Sequence, residues 1–86
     1  MLIRFHPHGW EDYLHWQQTN KAMLRKVNAL IEAIRREPFS GIGKPEPLRH
    51  DLRGYWSRRI TDEHRLVYFV ADDTVDILQC RYHYEA

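Results

Sequence analysis

Apolar residues recur along this chain with two different periods, and the change of period divides it. Residues 2–6 (LIRFH) read as a short first strand that ends at Pro7. Trp10, Tyr13, Leu14 and Gln17 follow at helical spacing and predict a short helix over 9–18. Thr19-Asn20 breaks it and supplies an N-cap. Met23, Leu24, Val27, Leu30, Ile31 and Ile34 then mark one face of a longer helix over 20–36. Arg35 and Arg36 fall in its last turn, where the helix dipole favours cations. Glu37 precedes Pro38 and is biased out of the helix. The two helices make an αα-hairpin. Residues 38–47 (PFSGIGKPEP) hold three prolines and two glycines and read as a loop. Beyond it come YWSRRI, HRLVYFVA and TVDILQCRYH, rich in β-branched and aromatic residues. Acidic turns at Asp62-Glu63 and Asp72-Asp73 separate them, which predicts a β-meander. The order β-α-α-β-β-β implies an α+β domain, its helical hairpin packed on one face of a mainly antiparallel sheet.

Strand register decides which side chains meet. With three-residue loops centred on Asp62 and Asp73, Arg59 pairs opposite Arg65, and Arg65 opposite Arg81. Directly opposed residues share a face, so three arginines line up there, with His83 two positions beyond Arg81. The other face then carries Trp56, Ile60, Leu66, Tyr68, Val70, Leu78, Cys80 and Tyr82 as core. A one-residue slip would instead set Arg65 against Ile60 and Cys80. The first register separates charge from core and is the one expected.

Composition narrows the class. The 86 residues form one domain, 1–86, and 43% hydrophobic with 13% aromatic content fits a folded chain. No apolar run approaches a membrane span, and the N-terminus lacks the apolar core of a signal peptide. A single cysteine, Cys80, excludes an internal disulfide and fits a reducing compartment, so the cytoplasm is expected. Net charge is only +1, but ten of the thirteen basic residues are arginine, whose fork matches phosphate. From Lys44 to Arg59 there are five bases and two acids, a local patch of a kind that suits a phosphate site or a merely solvated face.

Within that patch GKPEPLRH fixes one carboxylate, Glu46, between two prolines. A row of arginines with no acid opposite repels itself and invites an external anion, for which phosphate is the natural candidate. Glu46 and His83 then make a carboxylate–imidazole pair around that site. RNA cleavage without a metal needs such parts: a base for the 2′-hydroxyl, cations on phosphorus, and an acid for the departing 5′-oxygen. The plainer readings are a Glu46–Arg49 ion pair, ordinary strand-surface arginines and a solvated His83. His6, His8, His15, His50 and His64 show no metal-ligand spacing. Cys80 reads as a small buried residue. Trp10 and Trp16 suit core or interface, and Tyr84 suits either base stacking or a dimer contact.

The stretch GKPEPLRHDLRGYWSRRITDEHRLVYFV, followed by CRYHY, resembles the YoeB (Txe) family of endoribonuclease toxins within the RelE superfamily. WxDYLxWQ (Trp10 to Gln17) and RRxPFxGxGKPEPL (Arg35 to Leu48) extend the likeness over essentially the whole chain. It implies a microbial-RNase-like α+β fold, with cleavage of mRNA in the ribosomal A site and no cofactor or metal. It implies a homodimer, a YefM- or Axe-like antitoxin whose C-terminal segment wraps the toxin, and operator DNA reached only through that complex. Matched by position, it makes Glu46 the general base, His83 the general acid and Arg65 the phosphorane stabiliser. Arg59 and Tyr84 match supporting positions for phosphate and base, Arg49 stands at a cationic phosphate-binding position, and Arg81 joins them as a substrate contact from the register alone.

The chain departs from the family pattern in four places. Arg49 replaces a common lysine, Tyr55 stands where phenylalanine is frequent, FHPHG differs from the usual polar first turn, and Glu85-Ala86 extend past the usual end. An extra carboxylate there bears on His83 and Tyr84 beside it. The alternatives are a non-catalytic member of the superfold that acts by binding, as ParE-like gyrase inhibitors do, and a co-repressor module. The former lack the acid–base pair that Glu46 and His83 supply.

Overall fold

The computed structural model describes residues 1–84, so the expectations for Glu85-Ala86 lie outside the described residues. β1 (Leu2–Phe5) leads into α1 (Pro7–Thr19), and α2 (Lys21–Arg36) returns antiparallel to it. A loop reaches β2 (Glu46–Pro47), a single 3-10 turn spans His50–Leu52, and β3 (Tyr55–Arg59), β4 (Arg65–Ala71) and β5 (Thr74–Gln79) follow. The strands form one sheet in the order β1-β5-β4-β3-β2, antiparallel except for the parallel β1–β5 pair. The α+β class, the helical hairpin and the meander are as the sequence predicts.

α1 starts earlier than its apolar spacing suggests, because Pro7 occupies the first helical position, where its missing N–H costs nothing. Gly9 lets this helix lie against β5: a Cβ there would come within 2.5 Å of the Ile77 carbonyl oxygen. Asn20 caps α2, its Oδ1 accepting the Met23 amide at 3.1 Å. Met23, Val27, Leu30 and Ile34 bury one stripe of α2 against Ile60, Leu66, Tyr68, Val75, Ile77 and Cys80 of the sheet. Each such side chain contributes roughly 1.5–3 kcal/mol on leaving water.

Three details differ from the sequence reading. Glu46 and Pro47 form a short strand rather than loop; proline is tolerated because it lies on the sheet edge. The β4–β5 hairpin turns in two residues, Asp72 and Asp73, and not three. Val75 and Ile77 therefore face the helices in place of Leu78. A bulge at Leu78, opposite Val67/Tyr68, then restores the expected phase, so Cys80 is buried as expected. Pairing ends at Gln79, and Tyr82, expected in the core, is 53% exposed.

The third difference is Arg58. Its place in the charged patch predicts a surface side chain, yet it is fully buried on the helix-facing side of β3. Among the described residues no acid pairs with it. Its Nε donates to the Tyr68 hydroxyl at 3.1 Å, Nη1 to the Ile42 carbonyl at 3.1 Å, and Nη2 to the carbonyls of Glu37 and Ser40 at 2.7 and 2.9 Å. Tyr68 donates in turn to the Pro38 carbonyl at 2.7 Å. The segment 37–42 is thus folded around one guanidinium. Replacing Arg58 by Met leaves those carbonyls without donors. The variant should lose about 2–4 kcal/mol in urea unfolding and gain a protease-sensitive site in the loop. Unchanged stability with an intact loop would contradict this account.

Candidate active site

Glu46 reaches the site through backbone geometry. Gly43 adopts φ +83°, and a Cβ there would meet Leu30 Cδ2 at 2.8 Å. Its carbonyl accepts the Arg59 amide at 2.7 Å, and Leu48 N–H donates to the Tyr55 carbonyl at 2.9 Å. Between these two bonds Glu46 pairs with Ser57, and Ser57 with Val67. Arg59 pairs with Arg65 one repeat further along, as expected. Glu46, Arg59 and Arg65 therefore share the sheet face opposite the helices. Glu46, Arg49 and Tyr84 also line one open cavity of about 470 Å³, together with Pro47 and Leu48.

Arg65 and His83 meet at the β3–β4 turn. Arg65 Nη1 donates to the carbonyls of Thr61, Asp62 and His64 at 2.5, 3.0 and 3.1 Å. His83 Nε2 lies 2.9 Å from the same Asp62 carbonyl. A carbonyl only accepts, so that ring nitrogen carries a hydrogen. The cation and the imidazole proton thus converge on one oxygen atom.

Arg81 is not brought to this group, which corrects the expected row of three arginines. The chain leaves the ladder before it. Its guanidinium stacks 4.5 Å over the Tyr82 ring and 6.0 Å from the Trp16 ring, and Nη2 donates to the Tyr82 hydroxyl at 2.7 Å. Its charge falls beside Asp12, on the helix side. Arg65, for its part, already has three carbonyl acceptors, so the face is less repulsive than three bare arginines would make it.

A set of buried and half-buried polar groups outside the sequence-predicted site holds the strap from Cys80 to Tyr84. Asp12 Oδ2 accepts the Cys80 amide at 3.1 Å, and Trp16 Nε1 donates to the Cys80 carbonyl at 2.8 Å. Gln79 Nε2 donates to the carbonyls of Arg81 and His83, each at 3.1 Å. His64 Nδ1 accepts the Tyr82 amide at 2.7 Å, and Arg65 N–H donates to the Tyr82 carbonyl at 3.0 Å. The available signal was an acid and an indole at i,i+4 on the buried face of α1. Burial pushes the Asp12 carboxyl above its usual range, opposed by the Cys80 amide and by His8 and Arg81. Among the described residues no three His, Cys, Asp or Glu side chains gather to hold a metal.

A family model described as "YoeB-like toxin of bacterial type II toxin-antitoxin system" matches residues 5–84. The chain is 57% identical over 84 residues to Toxin YoeB of Escherichia coli strain K12, covering 98% of this chain and 100% of that one. It is similar to a solved YoeB/ParE toxin from Agrobacterium tumefaciens, with TM-score 0.95 and 49% identity over 98% of this chain and 100% of that one. Staphylococcus aureus YoeB, solved as a dimer and in complex with YefM, matches at TM-score 0.90 in both. Identities are 49% and 51%, over 98% of this chain and 98% and 99% of those chains.

The strap makes a direct chemical prediction. Burial, then the Asp12 charge, pushes the Cys80 thiol up to about 12. Its thiolate fraction at mildly alkaline pH is then roughly 10³-fold below that of a free thiol. Alkylation should be negligible in the native protein and fast in urea. Fast native labelling would mean that the strap opens freely.

Proposed function

The chain belongs to the YoeB-like toxins of bacterial type II toxin–antitoxin systems, and we propose that it is a ribosome-dependent endoribonuclease. The observation that supports this best is the shared Asp62 carbonyl, where a guanidinium and an imidazole N–H converge beside a face that also carries Glu46. In this reading Glu46 takes the proton of the 2′-hydroxyl, which attacks the adjacent phosphorus. Arg65 leaves its carbonyls for the phosphate and stabilises the charge that builds there. His83 gives its Nε2 proton to the departing 5′-oxygen. The products are a 2′,3′-cyclic phosphate, or its opened form, and a 5′-hydroxyl.

Arg49, in the same cavity as Glu46, and Arg59, on the same sheet face, contact flanking phosphates, and Tyr84, which also lines that cavity, stacks on a base. The substrate is mRNA in the ribosomal A site, in the cytoplasm. The ribosome supplies the alignment that so open a cavity does not. A homodimer and a YefM-like antitoxin, as in the Staphylococcus aureus structures, are the proposed partners; operator DNA is reached through the antitoxin complex. An acidic antitoxin segment that covers the site or displaces Tyr82-His83-Tyr84 would silence it.

Substitution should separate chemistry from binding. Arg65→Ala should abolish single-turnover cleavage of ribosome-bound mRNA most severely. Glu46→Ala and His83→Ala should each cost roughly 10²–10⁴-fold. All three should still bind ribosomes. Wild-type cleavage by Glu46→Ala would make the Pro-Glu-Pro segment merely structural.

A further inference from the structure

His64 is buried, with 8% of its surface exposed, and lies directly before Arg65 on the β3–β4 turn. Its ring packs edge-on against Trp16, with centroids 4.9 Å apart at 77°. Nδ1 lies 2.7 Å from the Tyr82 nitrogen, a group that can only donate, so Nδ1 carries the lone pair. Nε2 lies 3.1 Å from Glu63 Oε1, which needs a hydrogen on that side. Both contacts therefore demand the same tautomer. Tyr82 itself sits at φ +63°, an unfavourable conformation for a residue with a side chain. Something must hold it there, and the residue that follows is His83.

We propose that His64 is the positioning residue of the catalytic histidine: its Nδ1 holds Tyr82 in the left-handed conformation that delivers the His83 imidazole to the Asp62 carbonyl beside Arg65. The placement rests on the endonuclease reading only for its consequence in cleavage; the hold on the strap stands by itself. Trp16 supplies the wall that fixes the ring plane. Thr61 Oγ1 accepts the amides of Glu63 and His64, each at 3.2 Å, and fixes the turn that carries it. One turn thus orients both the cation, through its carbonyls, and the acid, through the His64 ring.

His64→Phe keeps the ring packing and deletes the acceptor. Its Tyr82 and His83 amides should exchange faster than in wild type. Single-turnover cleavage should fall roughly 10²-fold, the scale of an ångström-level misplacement, at unchanged ribosome affinity. His64→Asn, whose Oδ1 falls near the Nδ1 position, should restore both. His64→Gln, whose amide falls near Nε2, should restore neither. That pair decides the matter if the Phe variant does not fold. Wild-type cleavage by His64→Phe, protection of Tyr82 unchanged in it, or equal behaviour of the Asn and Gln variants would overturn the proposal. A wild-type chain that leaves A-site mRNA intact refutes the endonuclease reading instead, and the exchange comparison still reports on His64.

Discussion

Everything on the Glu46 side of the candidate site depends on one buried guanidinium. Arg58 lies in the core, paired with no carboxylate among the described residues, an arrangement costly by several kcal/mol unless its donors are satisfied. The carbonyls of Glu37, Ser40 and Ile42 and the Tyr68 hydroxyl satisfy them. The exchange is mutual. A loop whose large apolar side chains, Phe39 and Ile42, stay exposed gains a hydrogen-bonded centre, and the cation gains acceptors. Because the loop is held there, Gly43 can receive the Arg59 amide, and the chain enters the sheet edge with Glu46 opposite Ser57.

The other half of the site is organised by the β3–β4 turn. Its carbonyls hold Arg65, one of them also receives His83, and its last residue holds Tyr82 through an imidazole nitrogen. The sheet separates these two anchors and sets their distance. Glu46 is thus placed by a loop folded around a core cation, while Arg65 and His83 are placed by a turn and a strap. This division puts Glu46, the proposed base, on a different structural support from His83, the proposed acid, so changes in the strap can reach His83 without moving Glu46. The Asp12 and Trp16 contacts to Cys80 make α1 part of that second support.

Much of this was legible in the chain. The buried face of α2 follows from apolar spacing, whereas α1 buries Gly9, Asp12 and Trp16 rather than the stripe from Trp10 to Gln17; the Arg59–Arg65 pairing follows from the choice that keeps charge off the core. The same alternation places Arg58 on the core face with Trp56 and Ile60, but an arginine there is counted as surface unless its acceptors are known, and those come from a loop far away in sequence. The β4–β5 register misleads because two adjacent apolar phases, Val75-Ile77 and Leu78-Cys80, both fit a strand; only the bulge reconciles them. Arg81 followed the extrapolated strand into the site, whereas the real chain turns away at Gln79. His64 carried no signal because its role is a contact to backbone. The catalytic assignments themselves owe more to the family pattern than to spacing, since no local rule pairs residue 46 with residue 83.

The central claim is that the 2′-hydroxyl of the cleaved nucleotide is the attacking group, activated by Glu46. The most direct measurement replaces that hydroxyl by hydrogen at the scissile nucleotide of an A-site codon and follows single-turnover cleavage on programmed ribosomes. The account predicts that the substituted message binds as before and stays intact, while the all-ribose message is cut to a 2′,3′-cyclic phosphate. Cleavage of the substituted message at the normal rate would show that water or another nucleophile attacks, and would contradict the mechanism.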